Sequence, residues 1–173
     1  MANIRSLIKE WLLPFAIAAA LTLFIQTFIV QPVKVPSESM VPSIQINDRL
    51  AVNKMKLFTR FEHGDIVVFD HAAEGAEKVR YVKRLIGLPG DTVEVKNGVL
   101  YVNGEQAEEP YLLEKMNYSF GPVQVPDNKY LFLGDNRNNS YDAHLWPQMF
   151  VDESSLKGKV FFRFYPFNRI GPI

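Results

Sequence analysis

The sequence contains no cysteine among its 173 residues. This absence excludes disulfides, thiol nucleophiles and cysteine-ligated zinc within the chain. A charge imbalance is also absent, because 19 Lys and Arg residues offset 19 Asp and Glu residues. The chain therefore does not have the excess of positive charge that is typical of proteins that bind nucleic acid. The three histidines, His63, His71 and His144, do not have the spacing of a metal site, and the first two are expected in loops.

One long apolar segment is present near the N-terminus. Trp11–Val30 comprises 20 residues without a charge, and a helix of that length covers about 30 Å, the hydrocarbon thickness of a bilayer. A buried core helix is one alternative, and a cleaved secretory signal is another. The apolar core of a signal is only about 7 to 15 residues long, so the segment favours an uncleaved, single-pass anchor at 11–30.

The orientation of the anchor follows from the charges that flank it. Residues 1–10 and residues 31–50 each carry two basic side chains. The N-terminal flank is therefore the more positive one only through its free amine. Positive charge is retained on the cytoplasmic side of membranes. We therefore expect a short cytoplasmic tail at 1–10 and an extracytoplasmic domain at 31–173.

The remainder of the chain is predicted to be mainly β. Short apolar or alternating runs separated by turn residues are typical of antiparallel strands, and they indicate a single antiparallel β domain. Asn97-Gly98 is the strongest hairpin signal, because both residues accept the positive φ of a type I′ turn. Residues 103–126 are expected to form a reduced insertion or mobile loop. The predicted strands are Arg49–Asn53, Asp65–Phe69, Val79–Ile86, Thr92–Val95, Val99–Val102, Lys129–Leu133 and Lys159–Tyr165.

Two residues could form a nucleophile and its base. Ser39 lies nine residues after the apolar segment, between Pro36 and Pro42. Lys83 shares a predicted strand face with Tyr81 and Leu85. These apolar neighbours would penalise the ammonium form and so lower the pKa of the lysine. A hydroxyl nucleophile needs a neighbouring base of this kind. Each residue alone also fits a plainer interpretation, as a turn serine and a solvated strand lysine.

Four ordered segments give these residues a context. Residues 36–44, 64–69, 81–93 and 134–142 resemble the sequence boxes of bacterial type I signal peptidases, also called leader peptidases, and residues 158–171 are similar to the end of that family. The resemblance spans nearly the whole chain. It implies a membrane-anchored serine endopeptidase with a serine–lysine dyad, which removes N-terminal signal peptides from exported preproteins.

The resemblance also implies a role for each matching residue. Ser39 matches the acylated nucleophile and Lys83 the general base, with no metal or cofactor. Ser37 matches the serine that joins the Ser39 backbone N–H in stabilising the oxyanion. Ser140 matches the serine that orients the lysine amine, and Asp142 an acid that supports the loop. The family further implies contact with membrane lipid, a plasma (inner) membrane location and action downstream of the protein-export machinery.

Substrate preference is carried over in the same way. Members of the family cleave after small residues at the first and third positions before the scissile bond, and shallow apolar pockets exclude bulky side chains. An extended substrate is expected to pair with strand edges near Val35 and near residues 81–83. The matching pocket walls are Val33, Val35, Pro36, Met40, Ile44, Leu50, Val68, Tyr81 and Val82.

The chain departs from the family at Ala143-His144, where Ser-Arg is usual. The usual Asp–Arg ion pair is then reduced to Asp142 with His144, a contact that weakens when the imidazole loses its proton. The short interval between the Lys83 and Gly134 segments implies that the large second β domain of some relatives is mostly missing.

Other functions remain open on the sequence. A Ser-His-Asp hydrolase would use Ser39 with His144 and Asp142, although nothing in the sequence brings the last two to the serine. A self-cleaving repressor would share the dyad but would carry a DNA-binding helical module. A catalytically inactive membrane-anchored scaffold is the alternative from a different class. The aromatic end of the chain, 161–167, predicts strand or core residues, or a patch that enters lipid.

Overall fold

Residues 8–29 form one continuous helical segment. The computed structural model describes residues 8–55, 59–72 and 77–173, so most of the predicted tail at 1–10 lies outside the described residues. Helix α1, Leu13–Phe24, is flanked by π-helical turns at Ile8–Leu12 and Ile25–Ile29. Glu10–Ile29 is long and apolar enough to cross a membrane, and none of its most apolar stretch is buried in the molecule. Its bounds differ by one residue at each end from the predicted segment.

The rest of the described chain is built from twelve strands. They are β1 Val30–Lys34, β2 Arg49–Asn53, β3 Ile66–His71, β4 Val79–Gly87, β5 Thr92–Lys96, β6 Val99–Val102, β7 Glu105–Gln106, β8 Phe120–Gln124, β9 Lys129–Leu133, β10 Phe150–Asp152, β11 Leu156–Tyr165 and β12 Gly171–Pro172. Every pairing between them is antiparallel. The mainly β fold predicted from the sequence is confirmed.

Eight of these strands form the larger sheet. Its order is β1-β2-β11-β3-β4-β9-β10, with β12 added beside β11. Strand β1 begins at Val30, the residue after the helix ends, and pairs with β2 from Val30–Asn53 to Lys34–Arg49. The Lys54 backbone N–H also donates to the carbonyl oxygen of Ile29, 2.8 Å away. The helix is therefore joined to the sheet without an intervening linker.

Strand β3 is buried on both faces and separates two apolar clusters. Val67 and Phe69 point into a larger cluster that also contains residues of the smaller sheet. Ile66 and Val68 point into a second cluster, formed with residues of the segment between β1 and β2. The alternation of side chains along a strand accounts for this division. A site on β4, the neighbour of β3, can therefore be supported by residues of both clusters.

The smaller sheet has the order β7-β6-β5-β8. Asn97 and Gly98 join β5 to β6 with φ angles of 54° and 76°, as the hairpin signal predicts. Residues 103–126, expected as an insertion or mobile loop, contribute β7 and β8, and β8 pairs with β5. The prediction that His71 lies in a loop is wrong, because it is the last residue of β3 and its ring centroid lies 4.3 Å from that of Trp146.

Candidate active site

Ser39 lies on a short turn between β1 and β2. The backbone N–H of Val41 donates to the carbonyl oxygen of Glu38 at 3.0 Å, which closes the turn. Met40 is buried in the second cluster, which fixes the turn beneath the serine. The side chain of Ser39 is half-buried, and its hydroxyl lies 3.3 Å from the hydroxyl of Ser37. Two hydroxyls therefore stand together at an accessible position.

Lys83 is one of the most deeply buried polar side chains of the described chain, with 2% exposure. It lies in β4 on the same face as Tyr81 and Leu85, as alternation predicts. Its ammonium nitrogen donates to the hydroxyl of Ser140 at 2.7 Å. Burial lowers the pKa of Lys83 to about 8, although the carboxylates of Asp142 and Asp135 oppose the shift. A substantial fraction of the amine is therefore neutral near pH 8.

The loop at residues 134–144, here called the support loop, brings the serine and the lysine segments together. The Asn136 backbone N–H donates to the carbonyl oxygen of Ser39 at 3.1 Å, and the Gly134 N–H donates to the buried Asp142 carboxylate at 2.8 Å. A Cβ atom at Gly134 would overlap both the Ser140 hydroxyl and the Ser39 carbonyl oxygen. The close approach of these segments requires glycine at that position.

His144 forms the contact with Asp142 that the sequence predicts. Nδ1 of His144 lies 2.6 Å from Oδ1 of Asp142. Within the described residues, Ser39 makes no hydrogen bond to His144. The ring of Tyr118 stacks on the imidazole, with centroids 4.0 Å apart and planes 5° from parallel. Asp142 and His144 thus serve the support loop in this arrangement, and a Ser-His-Asp triad is not formed.

Ser39 and Lys83 open onto one cavity of about 820 Å³. Six of the predicted pocket residues line it: Val33, Val35, Pro36, Met40, Tyr81 and Val82. The other three, Ile44, Leu50 and Val68, lie behind this wall in the second cluster. Tyr141 and Leu145 also line the cavity and are largely exposed. Neither residue is predicted from the sequence, because an exposed tyrosine or leucine in a loop has no local sequence pattern that indicates its role.

Two buried ion pairs hold the support loop and were not predicted from the sequence. Arg84 donates to both carboxylate oxygens of Asp135, at 2.7 and 2.6 Å. Arg137, which has no exposed side-chain surface, pairs with Glu109 at 2.6 Å. Both arginines lie within the family-like segments, but burial of a charged side chain cannot be read from its neighbours in the sequence. Each pair attaches the support loop to another part of the fold.

A serine and a buried lysine of lowered pKa that line the same cleft are the groups required for acyl transfer by a serine hydrolase without histidine. The family model described as "Signal peptidase, peptidase S26" matches residues 8–165. The chain belongs to this family of signal peptidases. The helix that could cross a membrane fits the membrane association of the family.

Individual relatives agree over most of the chain. A probable signal peptidase I-2 of Synechocystis is 47% identical over 89% of this chain and 72% of its own. Signal peptidase I S of Bacillus subtilis is 42% identical over 94% of this chain and 92% of its own. A crystal structure of a signal peptidase I from Enterococcus faecalis, 32% identical, superposes with a TM-score of 0.50 over 58% of this chain and 97% of that one.

Proposed function

We propose that this chain is a signal peptidase that cleaves exported preproteins through an acyl-enzyme, with Ser39 as nucleophile and Lys83 as general base. The neutral amine of Lys83 takes the hydroxyl proton as Oγ of Ser39 attacks the scissile carbonyl carbon. The lysine then returns that proton to the leaving amine, and the signal peptide remains as an ester on Ser39. A water molecule deprotonated by Lys83 hydrolyses the ester and restores the serine.

The buried Lys83 amine and its hydrogen bond to Ser140 carry this proposal. The bond holds the amine at the edge of the cavity, and burial keeps the pKa of Lys83 low enough for a base. Among the described residues, Lys83 makes no hydrogen bond to Ser39. Contacts between base and nucleophile are often long without substrate and tighten when it binds. The hydrogen bond to Ser140 already orients the amine.

Stabilisation of the oxyanion is assigned to Ser37 and to the backbone N–H of Ser39. The Ser37 hydroxyl lies 3.3 Å from that of Ser39, within reach of an oxygen that develops on a carbon bonded to the nucleophile. Removal of one such donor costs about 100- to 1,000-fold in kcat in a serine protease. Ser140 and Asp142 act indirectly, by orienting the lysine and holding the support loop.

Small side chains before the scissile bond suit the walls of the cavity. In the described chain, β4 pairs with β9 only from Arg84 onward, so its second edge is open from Val79 to Lys83. An extended substrate can add to this edge through main-chain hydrogen bonds. Its alternate side chains would then face Val82 and the second cluster, where the space beside Val33 and Met40 admits small residues. The six lining residues and the three behind them together set that limit.

Cleavage of a purified preprotein by the full-length chain in detergent tests the proposal. Wild type should release the signal peptide, whereas Ser39→Ala and Lys83→Ala should each lose activity to the level of the blank. His144→Ala serves as the control and should retain measurable cleavage, because His144 contacts the support loop rather than the serine. Full activity of either dyad variant would overturn the mechanism, and an inactive wild type would favour a membrane-anchored scaffold.

The proposal includes a single-pass location in the plasma (inner) membrane, with the N-terminus cytoplasmic and the catalytic domain extracytoplasmic, downstream of the export machinery. It also includes contact between the C-terminal aromatic residues and lipid, because Phe167 is 79% exposed and Tyr165 and Ile170 beside it are also exposed. Since the chain lacks cysteine, Phe167→Cys and the control Glu105→Cys can each carry a polarity-sensitive label. Liposomes should shift the emission to shorter wavelength only at position 167, and identical spectra would contradict the contact.

A further inference from the structure

The ion pair between Arg137 and Glu109 joins the support loop to the segment that leads from β7 to β8. Two guanidinium nitrogens of Arg137 donate to the two carboxylate oxygens of Glu109, at 2.6 and 3.1 Å. Arg137 has no exposed side-chain surface and Glu109 has 7%. Such a bidentate contact fixes the orientation of both groups, and removal of one partner leaves a buried charge without compensation.

The same guanidinium also holds the backbone of the support loop. Nε of Arg137 donates to the carbonyl oxygen of Gly134 at 2.9 Å. Gly134 is the residue at which a Cβ atom would meet the Ser140 hydroxyl and the Ser39 carbonyl oxygen. A displacement of Arg137 would therefore move Gly134, and with it the partner of the lysine amine.

Three further contacts join the same two segments. The Asn117 backbone N–H donates to the side-chain oxygen of Asn138 at 2.8 Å, and the Asn138 amide donates to the carbonyl oxygen of Lys115 at 3.0 Å. At the other end, Tyr118 stacks on His144, which is bonded to Asp142. The support loop is thus held at its middle and at its C-terminal end by a segment that is not among the described residues lining the cavity.

We propose that residues 109–118, here called the brace, position the catalytic groups by fixing the support loop, with Glu109 and Tyr118 as positioning residues. The inference rests on the proposed function, because it assigns the brace to the geometry of Ser39, Lys83 and Ser140. The brace contacts Arg137 and Asn138 on one side of Ser140 and His144 on the other, so it limits both translation and tilting of Ser140. A displacement of about 1 Å at a reacting group can cost roughly 100-fold in rate.

Glu109→Gln tests the brace, because it keeps the size of the side chain and removes the charge that Arg137 requires. Glu108→Gln is the matched control, since Glu108 is the exposed neighbour. In the full-length chain we expect kcat to fall by roughly 10- to 100-fold while KM stays within about twofold, because the cavity walls are unchanged. The control should match wild type. A kcat of Glu109→Gln within twofold of wild type would overturn the proposal.

Tyr118 provides a second test that does not disturb a buried charge. Its hydroxyl is buried without a hydrogen-bond partner in the described chain, so Tyr118→Phe keeps the stacked ring and should retain wild-type kcat. Tyr118→Leu removes the stacking and should lower kcat. Equal kcat values for the two variants would contradict the role of the stack.

Amide hydrogen exchange tests the structural role of the brace independently of catalytic activity. In Glu109→Gln the Gly134 and Asn136 amides should exchange at least about tenfold faster than in wild type, whereas the Val93 and Val95 amides of β5 should not change. This measurement does not require activity. Unchanged exchange at Gly134 and Asn136 would refute the brace even if wild type proved inactive, and an inactive wild type with faster exchange would refute only the proposed function.

Discussion

The pH dependence of cleavage is the most direct measure of Lys83 as a base. With a pKa of about 8, the neutral fraction of Lys83 is about 9% at pH 7, 50% at pH 8 and 91% at pH 9. If the neutral amine is required, kcat/KM should rise about tenfold between pH 7 and pH 9 and then level off. A lysine at its ordinary pKa of 10.5 would be only about 0.3% neutral at pH 8, so kcat/KM would still be rising there.

A fluorogenic peptide that carries a signal peptidase cleavage site measures this profile between pH 6 and pH 10.5. The acidic limb should have a midpoint near 8 in wild type and in the control His144→Gln. Asp142→Asn should move the midpoint to lower pH, because the Asp142 carboxylate raises the Lys83 pKa against the larger effect of burial. A midpoint that follows His144, or one above 10, would refute the assignment of Lys83 as a buried base.

Three further predictions concern single positions. Lys83→Met should abolish cleavage yet raise the free energy of unfolding at pH 7 by about 3 kcal/mol, because a lysine whose pKa falls from 10.5 to about 8 on folding opposes folding below pH 8. Chemical denaturation at pH 7 should show the gain, which should disappear above pH 10.5. Ser37→Ala should lower kcat about 100- to 1,000-fold with little change in KM, and steady-state kinetics that show a changed KM alone would contradict the oxyanion role. Gly134→Ala should abolish activity and lower the melting temperature, because its methyl group has no space beside Ser39 and Ser140; a folded, active variant in calorimetry and cleavage assays would contradict the packing.

Local patterns of the sequence predict most of the larger sheet. Strands β2 and β9 have the predicted bounds, and the prediction for β4 is short by one residue. Each of these strands contains a short apolar or alternating run of its own, so the signal lies within the strand itself. The Asn97-Gly98 turn is equally local, because the positive φ angles depend on those two residues alone.

Strands β1 and β8, which are not predicted from the sequence, have no such local signal. Strand β1 contains Pro32 and begins with Val30, which reads as the end of the apolar segment. Proline is accommodated there because β1 is an edge strand of the sheet. Strand β8 contains Gly121-Pro122 and pairs at its ends with β5, a contact set by the fold rather than by its own composition.

The residues of the site also differ in whether the local sequence predicts them. The segments that contain Ser39, Lys83 and Ser140 are identified by their resemblance to a family, and the structure places Ser140 on the Lys83 amine. The partnership of Glu109 with Arg137 links residues 28 positions apart. Neither residue differs from an ordinary surface charge in the sequence, since only tertiary packing buries them.

The direct passage from the helix to β1 makes the connection between the helix and the sheet rigid. A flexible tether would let the catalytic domain sample many heights above the bilayer, whereas here the hydrogen bonds of Ile29 and Val30 continue into the sheet that carries the serine turn. If the helix spans a bilayer as proposed, a change of its tilt that accommodates a thicker or thinner membrane would shift Ser39 relative to the membrane surface. Membrane thickness would then influence which bond of a membrane-held peptide lies level with the nucleophile.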